Sequence, residues 1–264
     1  MLNKTFSQTN IIITGAASGI GLELVKQLLP LKPNLLLVDI HLEALENLQE
    51  EHFEVKGILK TDLSKKEGNQ VILDWVKTNW NHVSFCFANA GIAEYGPAEK
   101  QNWKEMDRLF QLNVHSPIQI GFMLKELFPD KSFRLIITAS AISYWHIPGY
   151  SLYGATKSAL LQWARTVWSE KNGNWLSLAF PISTKTKFFE RAGENIPKAF
   201  PLQSAAKVAE SIIHGTSKKK RRIFPSKLFF LMLILSHFLG FLKKIYGIFE
   251  YRKYKNWLKK QSEA

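Results

Sequence analysis

The chain has 264 residues, 46% of them hydrophobic and 22% charged, which suits one α/β domain with a large core. Most of the formal charge of +13 lies in 218–264, which contain thirteen lysines and arginines but only two acidic residues. The rest of the chain has a net charge of about +2. Cys86 is the only cysteine, which excludes an intrachain disulfide and fits a reducing compartment. The first ten residues are polar, so we expect no signal peptide and a cytoplasmic protein.

Short apolar runs alternate with helical patterns along the chain, and this alternation is typical of a parallel sheet with helices on both faces. The runs predict strands at 10–14, 34–39, 53–59, 83–88, 133–139, 175–180 and 221–224. In such a sheet, ligands bind in the crevice at the carboxyl ends of the strands. We therefore predict a Rossmann-type, doubly wound α/β domain at 1–225, followed by a basic and apolar helical extension at 226–264.

A glycine-rich turn follows the first predicted strand. The apolar run 11–13 leads into 14–21, which reads T-G-x-x-x-G-x-G, and a helical pattern comes next. Backbone N–H groups in a turn between a strand and a helix can bind a pyrophosphate. We expect Gly15 to allow the tight turn, Gly19 to let the backbone approach a ligand, and Gly21 to let the helix pack on the strand.

An acidic residue ends the second predicted strand. Asp39 lies eighteen residues beyond Gly21, close to the roughly 20 expected for a carboxylate that binds a ribose 2′-hydroxyl. A carboxylate there would repel a 2′-phosphate, and the neighbours Ile40 and His41 offer no lysine or arginine to hold one. The pattern therefore favours NAD over NADP, with NADP as the alternative.

Tyr153 and Lys157 are four residues apart, so they lie on one face of a helix about one turn from each other. Two unit charges about 4 Å apart at an effective dielectric near 20 interact by roughly 4 kcal/mol, or about three pKa units. We therefore expect Lys157 to lower the pKa of Tyr153 until the phenol works as an acid or base near neutral pH. Ser140 follows the predicted strand at 133–139, where a polar group can meet a substrate.

In this order and spacing, the motifs resemble those of the short-chain dehydrogenase/reductase (SDR) family, from about residue 8 to about residue 225. The motifs that carry the resemblance are the glycine turn at 14–21, Asp62-Leu63, Asn89-Ala90-Gly91, Asn113, Ser140, Tyr153 and Lys157. Seven motifs in the right order make chance a poor explanation.

The resemblance implies a hydride transfer between a nicotinamide and a carbinol or carbonyl carbon. Tyr153 would exchange the hydroxyl proton, Ser140 would hold the substrate oxygen, and Lys157 would also bind the nicotinamide ribose. Asn113 would use its backbone to hold a water that links Lys157 to solvent. The implied cofactor contacts are Gly15, Ser18, Gly19, Ile20, Gly21, Asp39, Asp62, Leu63, Asn89, Ala90, Gly91, Tyr153, Lys157, Ile182 and Thr186.

Some of these residues have a second interpretation or depart from the family. Asp62 alternatively caps Leu63 and the helix that follows, and Asn89 with its neighbours alternatively ties adjacent strands together. The family usually has Pro-Gly after the sixth strand, whereas this chain has Pro181-Ile182, followed by Thr186 at the place of a phosphate-binding threonine. Because isoleucine does not take a positive φ cheaply, we expect a different local backbone there.

The residues that would select the substrate are apolar and aromatic. They lie after Ser140 and in 183–201, and they include Tyr144, Trp145, Ile147, Phe188 and Phe189. Together with the apolar tail they predict a hydrophobic alcohol or ketone as substrate. No metal is expected, because the histidines, the cysteine and the carboxylates show no metal-ligand spacing. The rival hypothesis is a non-catalytic, dinucleotide-binding regulatory protein at a membrane surface, which would have no need of Ser140 or Tyr153.

The tail combines basic and apolar residues. After the basic run at 218–222, the stretch 228–242 has fifteen residues without a formal charge. As a helix it would reach about 23 Å, short of the roughly 30 Å needed to cross a bilayer. We therefore expect one apolar helix dipped into one leaflet at the inner face of a membrane, with basic flanks drawn to anionic lipid. The interface aromatics would be Tyr246, Tyr251, Tyr254 and Trp257.

The alternative is that the tail packs on the body or on another subunit, because members of the family commonly self-associate as dimers or tetramers. Membrane contact through 218–260 explains the cationic flanks, which subunit packing does not. Nucleic acid binding through 218–222 is not expected, because no nucleic-acid-binding fold accompanies this run.

Overall fold

The computed structural model describes residues 2–170, 173–186, 188, 192–193, 195–197 and 199–263. Phe189, one of the predicted substrate-loop residues, lies outside the described residues. The strands are β1 (Asn10–Thr14), β2 (Asn34–Asp39), β3 (Val55–Lys60), β4 (Phe85–Ala88), β5 (Arg134–Thr138), β6 (Leu176–Ala179), β7 (Thr184–Lys185), β8 (Gln203–Ser204) and β9 (Arg222–Ile223).

The helices alternate with these strands. They are α1 (Leu2–Phe6), α2 (Gly19–Leu28), α3 (Leu42–Glu51), α4 (Gly68–Asn79), α5 (Trp103–Phe110), α6 (Ser116–Leu127), α7 (Ser151–Ser169), α8 (Ala205–Ser217), α9 (Lys227–Phe238) and α10 (Phe241–Glu263). Between α5 and α6 the chain makes a π-helical turn at Gln111–His115.

Seven strands form one parallel sheet in the order β3-β2-β1-β4-β5-β6-β9, and the short strands β7 and β8 pair separately. The doubly wound α/β fold is therefore confirmed, with strand ends no more than two residues from their predicted positions. The strand order reverses between β1 and its neighbour β4. Because Thr14 pairs with Val38 on one side and Ala88 on the other, the loops after all three strands open at the same edge.

Alternate strand residues point to opposite faces of the sheet and build two cores. On one face Ile12, Leu36 and Cys86 are buried together with residues of α4, α6 and α7. On the other face Ile11 and Ile13 are buried with residues of α1, α2, α3 and α8. Cys86 is a packing residue of the first core, where burial raises the pKa of its thiol to about 12.

The apolar stretch 228–242, which we predicted as one helix, is divided between two. The first, α9, begins after Ser226, whose hydroxyl oxygen accepts a hydrogen bond from the Phe229 N–H at 3.1 Å. It ends at Phe238, and α10 begins at Phe241, so the chain turns at Leu239 and Gly240. Glycine is a poor helix former, which accounts for the break. Among the helices described, none is both long and apolar enough to pass through a membrane.

Candidate active site

A cleft of about 1480 Å³ opens at the carboxyl ends of the strands, over the place where the strand order reverses. Its lining falls into two groups. The glycine-turn lining consists of Gly15, Ser18, Gly19, Ile20, Asp39, Asp62, Leu63, Ile182 and Thr186. The apolar lining consists of Trp145, Ile147, Phe188, Leu228, Phe229, Met232 and Tyr246. The Ser140, Tyr153 and Lys157 side chains also face this cleft.

The glycine turn has the backbone that its sequence suggests. Gly15 and Gly19 have φ values of +68° and +55°, in the left-handed region that favours glycine. A Cβ on Gly19 would lie 3.2 Å from the Thr186 side chain, so the threonine borders the turn. A Cβ on Gly21 would lie 1.9 Å from the Gly15 carbonyl oxygen. Gly21 therefore permits helix packing from behind the turn and, unlike the other predicted contacts, does not line the cleft.

The Asp39 carboxylate is held in place by backbone donors. Its Oδ2 accepts a hydrogen bond from the Ala17 N–H at 3.0 Å, and its Oδ1 accepts from Ile40 at 2.8 Å and His41 at 3.1 Å. Since an ionised carboxylate can accept about four hydrogen bonds, capacity remains for a donor in the cleft. The arrangement fits the ribose hydroxyl of a dinucleotide.

Asn89 connects three strand ends, as the structural interpretation of its motif expected. The Asn89 and Ala90 N–H groups donate to the Thr14 hydroxyl oxygen at 3.1 and 3.0 Å, and Asn89 Oδ1 accepts from the Thr138 hydroxyl at 3.0 Å. Asn89, Ala90 and Gly91 also line the cleft, so the motif closes the sheet and borders the ligand space at once.

Asp62 closes a turn ahead of α4. Its Oδ1 accepts hydrogen bonds from the Ser64 N–H at 2.9 Å and the Ser64 hydroxyl at 2.6 Å. Asp62 is therefore a capping residue, but of this turn and not of the following helix as predicted, because α4 begins only at Gly68. Asp62 and Leu63 both line the cleft, so a cofactor contact is compatible with the cap.

The Pro181-Ile182 pair borders the cleft with a backbone that suits isoleucine. Among the described residues, those with positive φ do not include Ile182. The loop therefore avoids the conformation for which glycine would be needed, as expected from the departure at this position. Thr186 still reaches the glycine turn.

Ser140, Tyr153 and Lys157 converge in the cleft. Tyr153 and Lys157 lie one turn apart on α7, and the side chains of Tyr153 and Ser140 are hydrogen-bonded. Lys157 Nζ lies 5.7 Å from the centroid of the Tyr153 ring and donates a hydrogen bond to the Thr138 carbonyl oxygen at 2.9 Å. Both residues of α7 are almost fully buried. A hydroxyl pair beside an ammonium group can bind and protonate a carbonyl oxygen.

The predicted lowering of the Tyr153 pKa is wrong for this structure. Burial raises the pKa of Tyr153 to about 12, and the hydrogen bond with Ser140 offsets only part of this effect. Burial also lowers the pKa of Lys157 to about 8, so its charge is itself disfavoured.

Asn113 lies behind the cleft, inside the π-helical turn, and does not line it. Its Nδ2 donates to the Ile92 carbonyl oxygen at 2.8 Å and to the Thr156 hydroxyl at 3.2 Å, while its Oδ1 accepts from the Ile92 N–H at 3.0 Å. A Cβ on Gly91 would lie 3.0 Å from Asn113 Oδ1 and 3.7 Å from Lys157 Nζ. Asn113 therefore supports the segment on which Lys157 rests.

Only some of the predicted substrate residues line the cleft. Trp145, Ile147 and Phe188 line the cleft, whereas Tyr144 does not. The Tyr144 ring instead packs against Phe180 at 5.1 Å and Phe224 at 6.0 Å between ring centroids. Its inclusion was wrong because neighbouring residues of a loop point to different sides, and the aromatic cluster around Phe180 captures this ring.

Four tail residues that we did not predict as site residues belong to the cleft. The apolar lining includes Leu228, Phe229, Met232 and Tyr246. The Trp145 ring contacts Phe229 at 5.7 Å and Tyr246 at 5.1 Å between centroids. No local motif marks these residues, and the only signal was the long apolar composition of the tail.

Glu94 is a further polar residue of the cleft that we did not anticipate. Its Oε2 is buried without a hydrogen-bond partner among the described residues. Burial raises the pKa of its carboxyl group, and the nearby Glu105 raises it further. The position follows the Asn89-Ala90-Gly91 motif, which is the one signal that could have found it.

Three of the four predicted interface aromatics, Tyr246, Tyr254 and Trp257, pack on the body instead. The rings of Tyr254 and Trp257 lie 6.2 and 4.9 Å from that of Tyr95. Tyr95 in turn contacts Tyr150 at 4.7 Å, and Tyr150 contacts Tyr153 at 5.9 Å. The packing interpretation of the tail therefore describes the inner side of α10.

Within the described residues, no three histidine, cysteine or carboxylate side chains come close enough together to hold a metal.

The family model of the short chain dehydrogenases matches residues 9–192. The chain belongs to the short chain dehydrogenase family, as its motifs predicted, and the predicted class of NAD(P)-dependent oxidoreductases acting on CH–OH groups is the class of this family.

Two curated relatives illustrate the similarity. An uncharacterized oxidoreductase of Listeria monocytogenes is 30% identical over 160 residues, which are 59% of this chain and 64% of that protein. The chain thus matches somewhat less than two thirds of that relative's length. Epidermal retinol dehydrogenase 2 of Homo sapiens is 26% identical over 239 residues, which are 87% of this chain and 77% of that protein.

Solved structures share the fold. A short chain dehydrogenase/reductase from Burkholderia phymatum in complex with NAD has a TM-score of 0.74 at 21% identity, covering 88% of this chain and 94% of that one. A short-chain dehydrogenase from Sphingobium yanoikuyae in complex with NADPH also has a TM-score of 0.74, at 20% identity, covering 83% and 88%. Both cofactors therefore occur among proteins of this fold.

Proposed function

We propose that the protein is an NAD-dependent oxidoreductase that interconverts a hydrophobic alcohol and its ketone or aldehyde. The observation that carries this proposal is the hydrogen-bonded pair of Tyr153 and Ser140 in the cleft, with the Lys157 ammonium group over the tyrosine ring. A protein that only binds a dinucleotide has no need of this arrangement. A nicotinamide bound in the cleft would supply the hydride transfer.

Tyr153 is the proposed acid and base. Because its pKa is raised to about 12, the phenol is neutral at physiological pH and can donate a proton to a carbonyl oxygen held by Ser140. In the direction of oxidation the phenol must first lose that proton, which alkaline pH favours. The raised pKa therefore supports carbonyl reduction, because the free protein holds Tyr153 in the protonated form that this direction requires.

Lys157 and Asn113 complete the proposed catalytic set. Lys157 would bind the ribose hydroxyls of the nicotinamide half and stabilise the phenolate when Tyr153 gives up its proton. Its hydrogen bond to Thr138 holds the ammonium group at the strand end. Asn113 acts through position, because its side chain fixes the backbone of Ile92 next to Gly91, beside Lys157.

NAD is the proposed cofactor, with NADP as the alternative. The residues that would hold it are the glycine-turn lining together with Asn89, Ala90 and Gly91, and Gly21 supports the turn from behind. The cradle between Gly19 and Thr186, which a side chain on Gly19 would fill, suits a pyrophosphate. The fixed Asp39 carboxylate supports NAD because it would accept from a 2′-hydroxyl and repel a 2′-phosphate.

A hydrophobic substrate is supported by the apolar lining, in which the Phe188 ring lies 6.0 Å from that of Tyr153 and Trp145 and Phe229 border the same cleft. Burying such a substrate against aromatic side chains gives about 25 cal/mol for each Å² of apolar area. The retinol dehydrogenase relative, whose name specifies a hydrophobic alcohol, supports the same class of substrate.

The proposal includes a cytoplasmic location, which the single buried cysteine supports, and self-association as a dimer or tetramer, which is common in the family. It also includes peripheral membrane contact within 218–260 and no binding of nucleic acid. Two cations of the basic run pack on the body of the protein. Arg221 donates a hydrogen bond to Asn174 Oδ1 at 2.7 Å, and the Arg222 guanidinium lies 5.4 Å from the Trp168 ring centroid.

The test is turnover by the purified full chain with NAD or NADH and a panel of long-chain and cyclic alcohols and ketones. We expect at least one substrate to react, and Tyr153→Phe to lower kcat/KM by about 10²–10⁴-fold, the usual contribution of a general acid or base. The dissociation constant for NAD should stay within about threefold of wild type, because the phenol hydroxyl is not the main contact of the cofactor.

The rival function is a non-catalytic dinucleotide sensor, which predicts cofactor binding without turnover. It would bind NAD in calorimetry, turn over none of the panel, and respond to Tyr153→Phe in neither assay. Absence of dinucleotide binding altogether would reject both hypotheses. Dissociation constants for NAD and NADP measured in the same series decide between the two cofactors.

A further inference from the structure

The inner sides of α9 and α10 are fixed to the body of the protein. Phe229 of α9 and Tyr246 of α10 both contact Trp145, and the Tyr246 hydroxyl donates to the Phe200 carbonyl oxygen at 3.3 Å. Farther along α10, Trp257 packs on Tyr95. These contacts determine which side of each helix faces outward.

The outward sides are apolar. Large hydrophobic side chains are exposed along both helices, with Phe238 77%, Ile245 59% and Leu228 56% exposed. The remaining exposed members are Phe230, Leu231, Ile234, Leu235, Leu239, Phe241, Ile248, Phe249 and Tyr251. Monomeric soluble proteins rarely expose so many large apolar groups together, and such surfaces mark contact with a partner or a membrane.

The segment buries two polar side chains while it exposes large apolar ones. Glu250 is only 3% exposed and is paired with Lys253 at 2.9 Å, while Ile248 and Phe249 beside it face outward. Ser236 is likewise buried on α9, next to the exposed Leu235. Aromatic contacts with the body therefore do not use up the apolar residues of these helices, and the exposed apolar residues depart from the pattern of a helix on a water-exposed surface. We call the exposed apolar residues of 228–251 the outer face.

The outer face continues into the mouth of the cleft. Leu228 is exposed and also belongs to the apolar lining. Phe200 and Leu202 are large apolar residues that are exposed and line the same cleft. The outer face and the cleft therefore share an apolar side chain at Leu228, and Phe200 and Leu202 add exposed apolar residues to the lining of the cleft.

The charge of the segment favours an anionic partner. Residues 226–264 contain eight lysines and arginines against two glutamates, and the five cations of 218–222 come just before them. A second copy of the chain would bring like charges together, which opposes association. An anionic lipid surface attracts such cations. At twelve residues, α9 is about 18 Å long, too short to span the roughly 30 Å hydrocarbon core but suited to lying in its interface.

We propose that the outer face lies in the surface of an anionic bilayer, so that the mouth of the cleft opens at the lipid and the hydrophobic substrate enters from the membrane. The docking part depends only on the outer face and its charge. The part that concerns substrate entry rests on the proposed function.

The experiment measures co-flotation of the full chain with vesicles of phosphatidylcholine alone or with 30% phosphatidylglycerol (a proportion of about one third makes the surface strongly anionic). We expect binding to the anionic vesicles that weakens as salt is raised. The double variant Phe238→Glu with Ile245→Glu should bind the anionic vesicles at least about tenfold more weakly than wild type, because it loses apolar burial and adds negative charge. Phe53→Glu is the matched control, since Phe53 is 76% exposed on the loop between α3 and β3, away from the cleft, and it should bind like wild type.

Three results would overturn docking: absence of flotation, equal flotation with and without phosphatidylglycerol, or a double variant that floats like wild type. Sedimentation that shows the double variant dissociating a wild-type dimer, without vesicle binding by either, would assign the outer face to self-association instead. NAD affinity and the melting temperature establish that each variant is folded. If a variant does not fold, the salt and lipid dependence of the wild type still decides.

Substrate entry has its own measurement. In vesicles, the double variant should lose about tenfold in kcat/KM for a membrane-dissolved alcohol while it keeps the rate for a short, water-soluble one. An equal loss for both alcohols would overturn entry from the membrane. If no alcohol reacts even with wild type, the proposed function fails, while flotation still judges the docking.

Discussion

The glycine-turn lining of the cleft comes from short loops directly after strands, whereas the apolar lining comes from segments far apart in the chain. Asp39 is fixed by backbone N–H groups of its own loop and of the glycine turn. In contrast, Trp145 is held by rings from Phe229 and Tyr246, roughly 80 and 100 residues later. One lining is determined mainly by backbone geometry, the other by side-chain packing.

This difference determines how each lining responds to change. A position where a Cβ would meet backbone has no way to relax, because a carbonyl group cannot move without moving its strand or helix. A lining built from flexible apolar side chains can repack around a lost or altered group. Substitutions should therefore affect the glycine-turn lining abruptly and the apolar lining gradually.

The largest effect is expected for Gly21→Ala. Its Cβ would lie 1.9 Å from the Gly15 carbonyl oxygen, so either the turn or α2 must shift. We expect the free energy of unfolding to fall by about 3 kcal/mol, at the upper end of usual overpacking effects, and NAD binding to be lost with the turn. Denaturant unfolding and calorimetric titration measure the two consequences.

Gly154→Ala is the control for that substitution. Its Cβ would find only Ile142 side-chain atoms at 3.7 and 3.8 Å, and Gly154 lies within α7. Replacing a helical glycine by alanine should stabilise the fold by about 0.5–1 kcal/mol. If Gly21→Ala were as well tolerated as Gly154→Ala, the backbone of the turn would not be the constraint we describe.

The same contrast explains what could be predicted from the sequence. The strands, the glycine turn, Asp39 and Ser140 were predicted because strand-end motifs depend on local spacing. Tyr153 and Lys157 were predicted because residues four apart share one face of a helix. Tyr144 was placed wrongly, since spacing along a loop does not specify which way each ring points.

Most of the remaining differences depend on tertiary structure. The helix break at Gly240 has a local signal in the glycine itself, whereas the contacts of Tyr246 and Trp257 on the body leave no local motif. Likewise, the predicted pKa of Tyr153 considered a charge at an assumed distance, but its burial, which a sequence does not display, has the larger effect.

A smaller effect on the glycine-turn lining is expected for Asp39→Asn, which keeps the size of the side chain and removes its charge. The ratio of the dissociation constants for NADP and NAD should fall by about 30-fold, because charged hydrogen bonds contribute about 1.5–3 kcal/mol and each tenfold change corresponds to about 1.4 kcal/mol. Parallel titrations with both cofactors measure it. An unchanged ratio would remove Asp39 from cofactor selection.

For the apolar lining we expect about a tenfold effect. Met232→Ala removes a side chain that lines the cleft, so KM for a hydrophobic alcohol should rise about tenfold while the dissociation constant for NAD stays the same. Leu231→Ala is the matched control, because Leu231 is the neighbouring residue on the outer face and does not line the cleft. Equal changes in KM for both variants, measured without lipid, would mean that α9 affects the cleft only through general stability.

The smallest effect is expected at Lys157, which faces the cleft and whose pKa is lowered to about 8 by burial. A lowered lysine pKa means that the ammonium group loses its proton as pH rises through about 8, rather than above 10 as in an exposed lysine. If cofactor binding needs the charged form, the apparent dissociation constant for NAD should be flat below pH 7 and rise about fourfold between pH 7 and 8.5. In Lys157→Met binding should be weaker but independent of pH over this range. The same rise in Lys157→Met would assign the titration to another group and leave Lys157 as a packing residue of α7.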